Sequence, residues 1–176
     1  MSTRQSSDAR REELVEAAMT AFAQSGLHGT AVRTVTDAVG VTQPYAFSLF
    51  GTKKGLYLAT IERCFDRIEA TFRRAAKAAP KSKRLKAMGL AYGELLMDRD
   101  TLQFQLQAYA AAGDPEVKAV VSKRYQELYE LVQKLGGVGP KQAREFMETG
   151  MLCNLAVTLD LYDLLPDKLR AAIDPS

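Results

Sequence analysis

Apolar residues recur along most of the chain at the three- and four-residue spacing of helices that bury one face. Leu14, Ala17, Ala18, Ala21 and Phe22 form the first such stripe, with Asp8 as its expected N-cap and Ser25-Gly26 as its stop. A second, short helix is expected over 31–39, capped by Thr30, closed by Gly40 and carrying Val32, Val35 and Val39 on one face. Thr42 caps a third helix of about two turns, with Pro44 in its first turn, where donors have no helical partner and a missing N–H costs nothing. Gly51-Thr52 then opens a long helix from Lys53 to about Ala79, with Leu56, Ile61, Phe65, Ile68 and Phe72 as its buried stripe and Pro80 as its end.

Four more helices are expected at about 84–98, 101–113, 115–135 and 140–160. They are separated by Asp98 to Asp100, by Gly113-Asp114-Pro115 and by Gly136 to Pro140. A short ninth helix is read from Pro166 to Ile173. No run of alternating β-branched residues competes with these helices, and no Gly-rich phosphate loop is present. The expected fold class is all-α.

Composition narrows the function classes. With 47% hydrophobic residues in 176, the chain has ample material for a core, as one large domain or two small ones. Its apolar runs fall short of the roughly 18 to 20 residues that a membrane helix needs, and Met1 to Ser7 carries no apolar signal core. A cytoplasmic location and no membrane partner are therefore expected. Cys64 and Cys153 lie far apart without a Cys-x-x-Cys or Cys/His cluster, so they read as small core residues, with no metal and no cofactor implied. One histidine and no nucleophile motif argue against an enzyme.

Charge changes the picture through its distribution. Residues 1–60 hold six basic against five acidic residues, 61–90 nine against three, and 91–176 nine against thirteen. A basic front half and an acidic back half fit a polyanion partner for the front, although solvated helix faces give the same asymmetry.

The two short helices separated by Gly40-Val41, with a third before them, have the form of a helix-turn-helix spanning about 31–50. In that motif the second short helix enters the DNA major groove. Steps of about 100° along that helix place Ala46, Leu49 and Phe50 on one arc, facing the first two helices. The other arc carries Gln43, Pro44, Phe47 and Ser48, with Tyr45 at its edge. Outward aromatics suit thymine methyls and sugar surfaces, and Gln43 can pair with adenine. The competing readings are that these aromatics pack on a neighbouring helix, or that the face serves a helical protein–protein adaptor. Lys53 and Lys54 open the long helix where the helix dipole favours acids, as expected where a phosphate is bound, and the N-termini at Thr30 and Thr42 offer further donors.

The segment GVTQPYAFSLFGTKKGLY, Gly40 to Tyr57, resembles the recognition region of the TetR family of bacterial one-component regulators. Its context, an amphipathic first helix followed by GLHGTAV from Gly26 to Val32, is similar too. In that pattern Gly40 matches the turn glycine, Val41 the buried turn residue, Thr42 the cap that meets phosphate, Phe50 the closing aromatic and Lys53 the phosphate-contacting lysine. Phe47 stands where the family usually has tyrosine, Leu49 where it has His or Tyr, and Thr36 where it has alanine. His28, in the loop before the second helix, reads as structural or solvent-facing, with a phosphate contact as the alternative.

The resemblance implies a DNA-binding domain over 1–53 and an effector-binding and dimerising helical domain over 54–176. It implies a homodimer on palindromic double-stranded operator DNA, usually a repressor, released by a small-molecule effector. The long fourth helix belongs to both parts and would transmit the signal. Met88, Tyr92, Leu96, Phe104, Tyr109, Tyr125, Tyr129, Met147 and Met151 are the candidate pocket residues, each also readable as core, with Gln105 and Gln107 as polar contacts. For dimerisation the stripe Met147, Gly150, Met151, Asn154 and Thr158 is favoured, because a small residue lets helices approach closely.

Overall fold

The computed structural model describes residues 2–173, with side chains described over 7–171. Nine α-helices are present among them: α1 (Ser2–Gly29), α2 (Val32–Val39), α3 (Gln43–Phe50), α4 (Lys53–Ala78), α5 (Arg84–Leu95), α6 (Arg99–Ala110), α7 (Pro115–Gly136), α8 (Pro140–Thr158) and α9 (Asp167–Ile173). No strand occurs among the described residues, and none of their helices is long and apolar enough to cross a membrane. The fold is all-α.

Local chemistry explains most boundaries and moves three of them. Helix α1 begins at Ser2, so Asp8 lies inside it and is not its cap. Its expected stop is a break instead: Gly26 has φ 65° and ψ −177°, a conformation open to glycine, and helical turns resume through Gly29. The N-cap of α2 is Ala31, not Thr30. The Thr30 hydroxyl is turned inward, donating to the carbonyls of Gly26 at 2.8 Å and Ala21 at 3.1 Å, so it fastens the end of α1. Gly40 closes α2 as expected, in the left-handed region at φ 70°, with its N–H on Asp37 O and that of Val41 on Thr36 O.

The chain packs as two compact units. The first comprises residues up to 64 together with 103–121. Its core is an aromatic cluster: Phe22 meets Tyr57 edge-on at 4.8 Å between ring centroids, and Tyr57 meets Phe104 at 5.3 Å. All three rings are fully buried, and each contributes about 1.5–3 kcal/mol by leaving water. The Tyr57 hydroxyl makes no hydrogen bond there, and burial pushes its pKa up.

The second unit comprises 65–102 and the residues from 122 onward. Phe72 of α4 lies against Tyr92 of α5 at 5.8 Å and Phe146 of α8 at 5.5 Å. Arg124 of α7 bonds Asp66 at 2.7 Å and Glu69 at 2.9 Å and lies over the Phe65 ring, tying α7 to α4. Asn154 is fully buried in this unit and accepts a 2.7 Å hydrogen bond from the Tyr92 hydroxyl. A buried amide needs such a partner.

Candidate nucleic-acid interface

The third helix is fastened at both ends by its own sequence. The Thr42 hydroxyl accepts the Tyr45 N–H at 3.4 Å, Pro44 occupies the first turn, and Gly51 at φ 74° returns its N–H to Phe47 O. Ala46 is buried, while Leu49 and Phe50 are half-buried toward the interior. Arg11 of α1 stacks over Phe50 at 5.0 Å, holding the inner face in place.

On the other face Pro44, Phe47 and Ser48 are exposed and Gln43 and Tyr45 are half-buried. Phe47 keeps 39% of its surface open. The Ser48 hydroxyl donates to Tyr45 O at 2.7 Å. Thr42, Gln43, Pro44, Tyr45, Phe47 and Ser48 thus share one short helix and its cap. Thr30 stands apart from them as a buried residue whose hydroxyl is already engaged.

The lysines that open α4 have local partners that the sequence did not reveal. Lys53 Nζ donates to the carbonyls of Thr30 at 3.1 Å and His28 at 3.2 Å, which uses two of the three donors an ammonium carries. Lys54 lies 3.1 Å from Asp114 and 2.5 Å from Glu116 at the start of α7. These carboxylates raise the Lys54 pKa, while Lys54, with the Val117 and Glu116 N–H groups, lowers that of Asp114. The unfavourable placement of two cations at a helix N-terminus is therefore offset within the unit. His28 is exposed, and Thr36 is buried with its hydroxyl bonded to Arg33 O at 3.1 Å.

One basic residue escaped the sequence reading. Arg10 of α1 shares an open hollow with Val41, Thr42 and Tyr45. Its guanidinium bonds Glu13 at 2.6 Å on the exposed side of α1. The signal was three-dimensional, because residues 10 and 42 meet only once α1 and α3 have folded together.

The candidate pocket residues divide between the two units. Phe104 belongs to the aromatic core of the first unit, and Tyr109 there bonds Gln105 at 2.7 Å. The Gln107 side chain packs against Gly26, its Oε1 2.8 Å from where a Cβ there would stand. In the second unit Met88 and Leu96 are core residues, Tyr125, Met147 and Met151 are half-buried, and the Tyr129 hydroxyl donates to Pro140 O at 3.0 Å. A cleft of about 590 Å³ does lie in this unit, between α5, α8 and α9, and of the candidates it takes Tyr92.

The stripe Met147, Gly150, Met151, Asn154 and Thr158 does not form one exposed face. Asn154 is spent inside the unit on Tyr92, and Gly150 borders the cleft. The apolar surface lies on the neighbouring face, where Leu152, Leu155 and Leu159 of α8 are 45%, 47% and 60% exposed, followed by Leu161 and Leu164. Among the described residues no group of three or more His, Cys, Asp or Glu could hold a metal ion, and both cysteines are buried.

Comparison with known proteins places this architecture. Residues 14–60 match the model of the bacterial regulatory proteins of the tetR family. The HTH-type transcriptional activator FasR of Mycolicibacterium smegmatis is 26% identical over 145 residues, 78% of this chain and 65% of that protein. The HTH-type transcriptional regulator BetI of Paraburkholderia phymatum is 37% identical over 84 residues, 46% of this chain and 42% of that protein. The chain thus spans less than two thirds of either relative's length. The fold is shared with the fatty acid degradation regulator FadR from Bacillus halodurans (TM-score 0.73, 17% identity, 93% of this chain and 94% of that one). It is shared also with a transcriptional regulator from Rhodococcus sp. Rha1 (TM-score 0.71, 20% identity, 93% and 91%). On its helix-turn-helix and the family match together, the segment 14–60 is a DNA-binding domain of the tetR family of bacterial regulatory proteins, and the chain shares its fold with the regulators above.

Proposed function

We propose that the chain is a one-component regulator that binds a palindromic operator as a homodimer, acts as a repressor and leaves the DNA when a small molecule binds its second unit. The observation that carries this reading is the outer face of α3. Phe47 is exposed beside Gln43, Pro44 and Ser48 on a helix whose inner face and both ends are fixed, so the face is preorganised for a partner and not required by folding. In a major groove Gln43 and Tyr45 would read base edges, Phe47 would meet a thymine methyl, and Thr42, Arg10 and the third donor of Lys53 would meet phosphates. Phe47 lacks the hydroxyl that a tyrosine would offer a phosphate, so its contact is apolar.

The proposed domains divide the work, with residues 1–53 reading DNA and 54–176 sensing and dimerising. The leucines of α8 supply the dimer surface in this reading, since a row of half-exposed leucines costs solubility unless a second copy covers it. A two-fold pair of α3 helices then asks for half-sites about one helical turn apart.

The rival reading, an adaptor that uses the Phe47 face on protein, differs in its salt dependence. Binding of the full chain to its operator is expected to weaken steeply between about 50 and 200 mM salt, because several phosphates release counterions. A flat salt profile would favour the adaptor. The sign of regulation follows from a promoter fusion: lower reporter output with the regulator present is expected, and higher output would make it an activator, as its M. smegmatis relative is named.

A further inference from the structure

We propose that the cleft between α5, α8 and α9 binds an amphipathic carboxylate, with the head group between Lys86 and Lys168 and a hydrocarbon body along the apolar walls. This deepens the ligand-sensing part of the function proposed above and rests on it. The cleft's volume of about 590 Å³ falls within the roughly 300–1,000 Å³ of small-molecule sites. Leu85 and Leu90 of α5, Phe146 and Cys153 of α8 and Leu169 of α9 supply apolar wall from three elements. Leu90 stays 39% exposed, so folding alone has not covered it.

The head-group seat is defined by like charges. Lys86 of α5 and Lys168 of α9 both line the cleft as exposed side chains, and Lys168 and Lys83 are the positive charges that act on Lys86. They hold the Lys86 ammonium below the ordinary lysine pKa. An anion seated between the Lys86 and Lys168 ammonium groups accepts charge-assisted hydrogen bonds from both and relieves the repulsion that Lys86 feels. The arrangement is set by shape. Leu169 is pressed against Gly93 of α5, where a Cβ would overlap its Cδ1, so α9 sits close on α5 and brings Lys168 with it.

Acidic groups are present as well. Asp167 of α9, 4.0 Å from Arg170, and Glu145 of α8 line the cleft beside the two lysines. A cationic amphiphile is accordingly the competitor that a test must separate.

The test is calorimetric titration of the full chain, without DNA, with decanoate, decanol and decyltrimethylammonium. Decanoate is expected to bind at least about tenfold more tightly than either of the others, a difference of about 1.4 kcal/mol. Lys86→Gln and Lys168→Gln are each expected to weaken decanoate about tenfold and leave decanol unchanged, with Lys→Arg at either position retaining most of the affinity. Decanol binding as tightly as decanoate, preference for the cation, unchanged affinity in both Gln variants, or no decanoate binding at about 1 mM would each overturn the proposal. Because no DNA is present, such a failure leaves the operator-binding reading standing, and a failure to bind DNA leaves this site standing.

Discussion

The Lys53 ammonium lies 3.1 Å from the carbonyl oxygen of Thr30, joining the first residue of α4 to the residue that fastens the end of α1. A lysine at the edge of the proposed DNA face is therefore also a clamp inside its own unit. Lys53→Ala is expected to lower unfolding stability by about 1 kcal/mol, through lost charge-assisted bonds at a half-exposed site. It is expected also to weaken DNA binding for all sequences and to reduce the salt slope by about one. Denaturant titration and binding at several salt concentrations separate the roles: a stability loss with an unchanged slope would make Lys53 purely structural.

The base-reading face makes a different demand. Gln43→Ala and Tyr45→Ala are expected to change which operator bases are preferred, at a cost of about 1–3 kcal/mol for the favoured base, with the salt slope unaltered. Binding measured across single-base operator variants checks this, and uniform weakening at every position would move both residues from base edges to the DNA backbone.

Lys54 and Asp114 predict how the first unit responds to pH. The Asp114 pKa is lowered, so its contribution to stability is present above the ordinary carboxylate range and is lost as pH falls through the lowered value. The Lys54 pKa is raised, so its contribution is present below the ordinary lysine value and is lost as pH rises through the raised one. Between those limits the bridge is intact. Lys54→Met should flatten both flanks of a melting-temperature profile, and flanks as steep as those of the native chain would show that the bridge contributes nothing.

In the second unit, Gly93→Ala is expected to push Leu169 off α5 at about 1–3 kcal/mol, the usual range for overpacking. Hydrogen exchange over residues 167–171 should speed up, and Gly93→Ala combined with Leu169→Ala should exchange more slowly than Gly93→Ala alone. No change in the single variant would mean that α9 is not seated through this contact.

What the sequence could reveal depended on whether a residue's partner was near in the chain. Helix positions and the two faces of α3 were legible, because Val35, Ala46, Leu56 and Phe65 are buried by periodicity that a run of ten or so residues already displays. The gaps at Gly40 and Gly51 were legible for the same reason. Side chains whose partners come from distant elements were not. Thr30 has the composition of a cap and instead turns its hydroxyl back to Ala21. Lys54 looks like a misplaced charge until Asp114, sixty residues away, meets it. Asn154 shares a helix stripe with Met147 and Met151, but the Tyr92 hydroxyl draws it into the core, leaving Leu152, Leu155 and Leu159 as the outer face. The cleft was invisible for a further reason, since its walls come from α5, α8 and the short α9.

In the proposed function α3 reads DNA as one half of a two-fold pair. Selection of bound duplexes from a random pool by the full chain tests it most directly. Enrichment of a palindrome with half-sites about 10 base pairs apart, or a multiple of that spacing, is the predicted result; a bound pool with no shared palindromic site would contradict it.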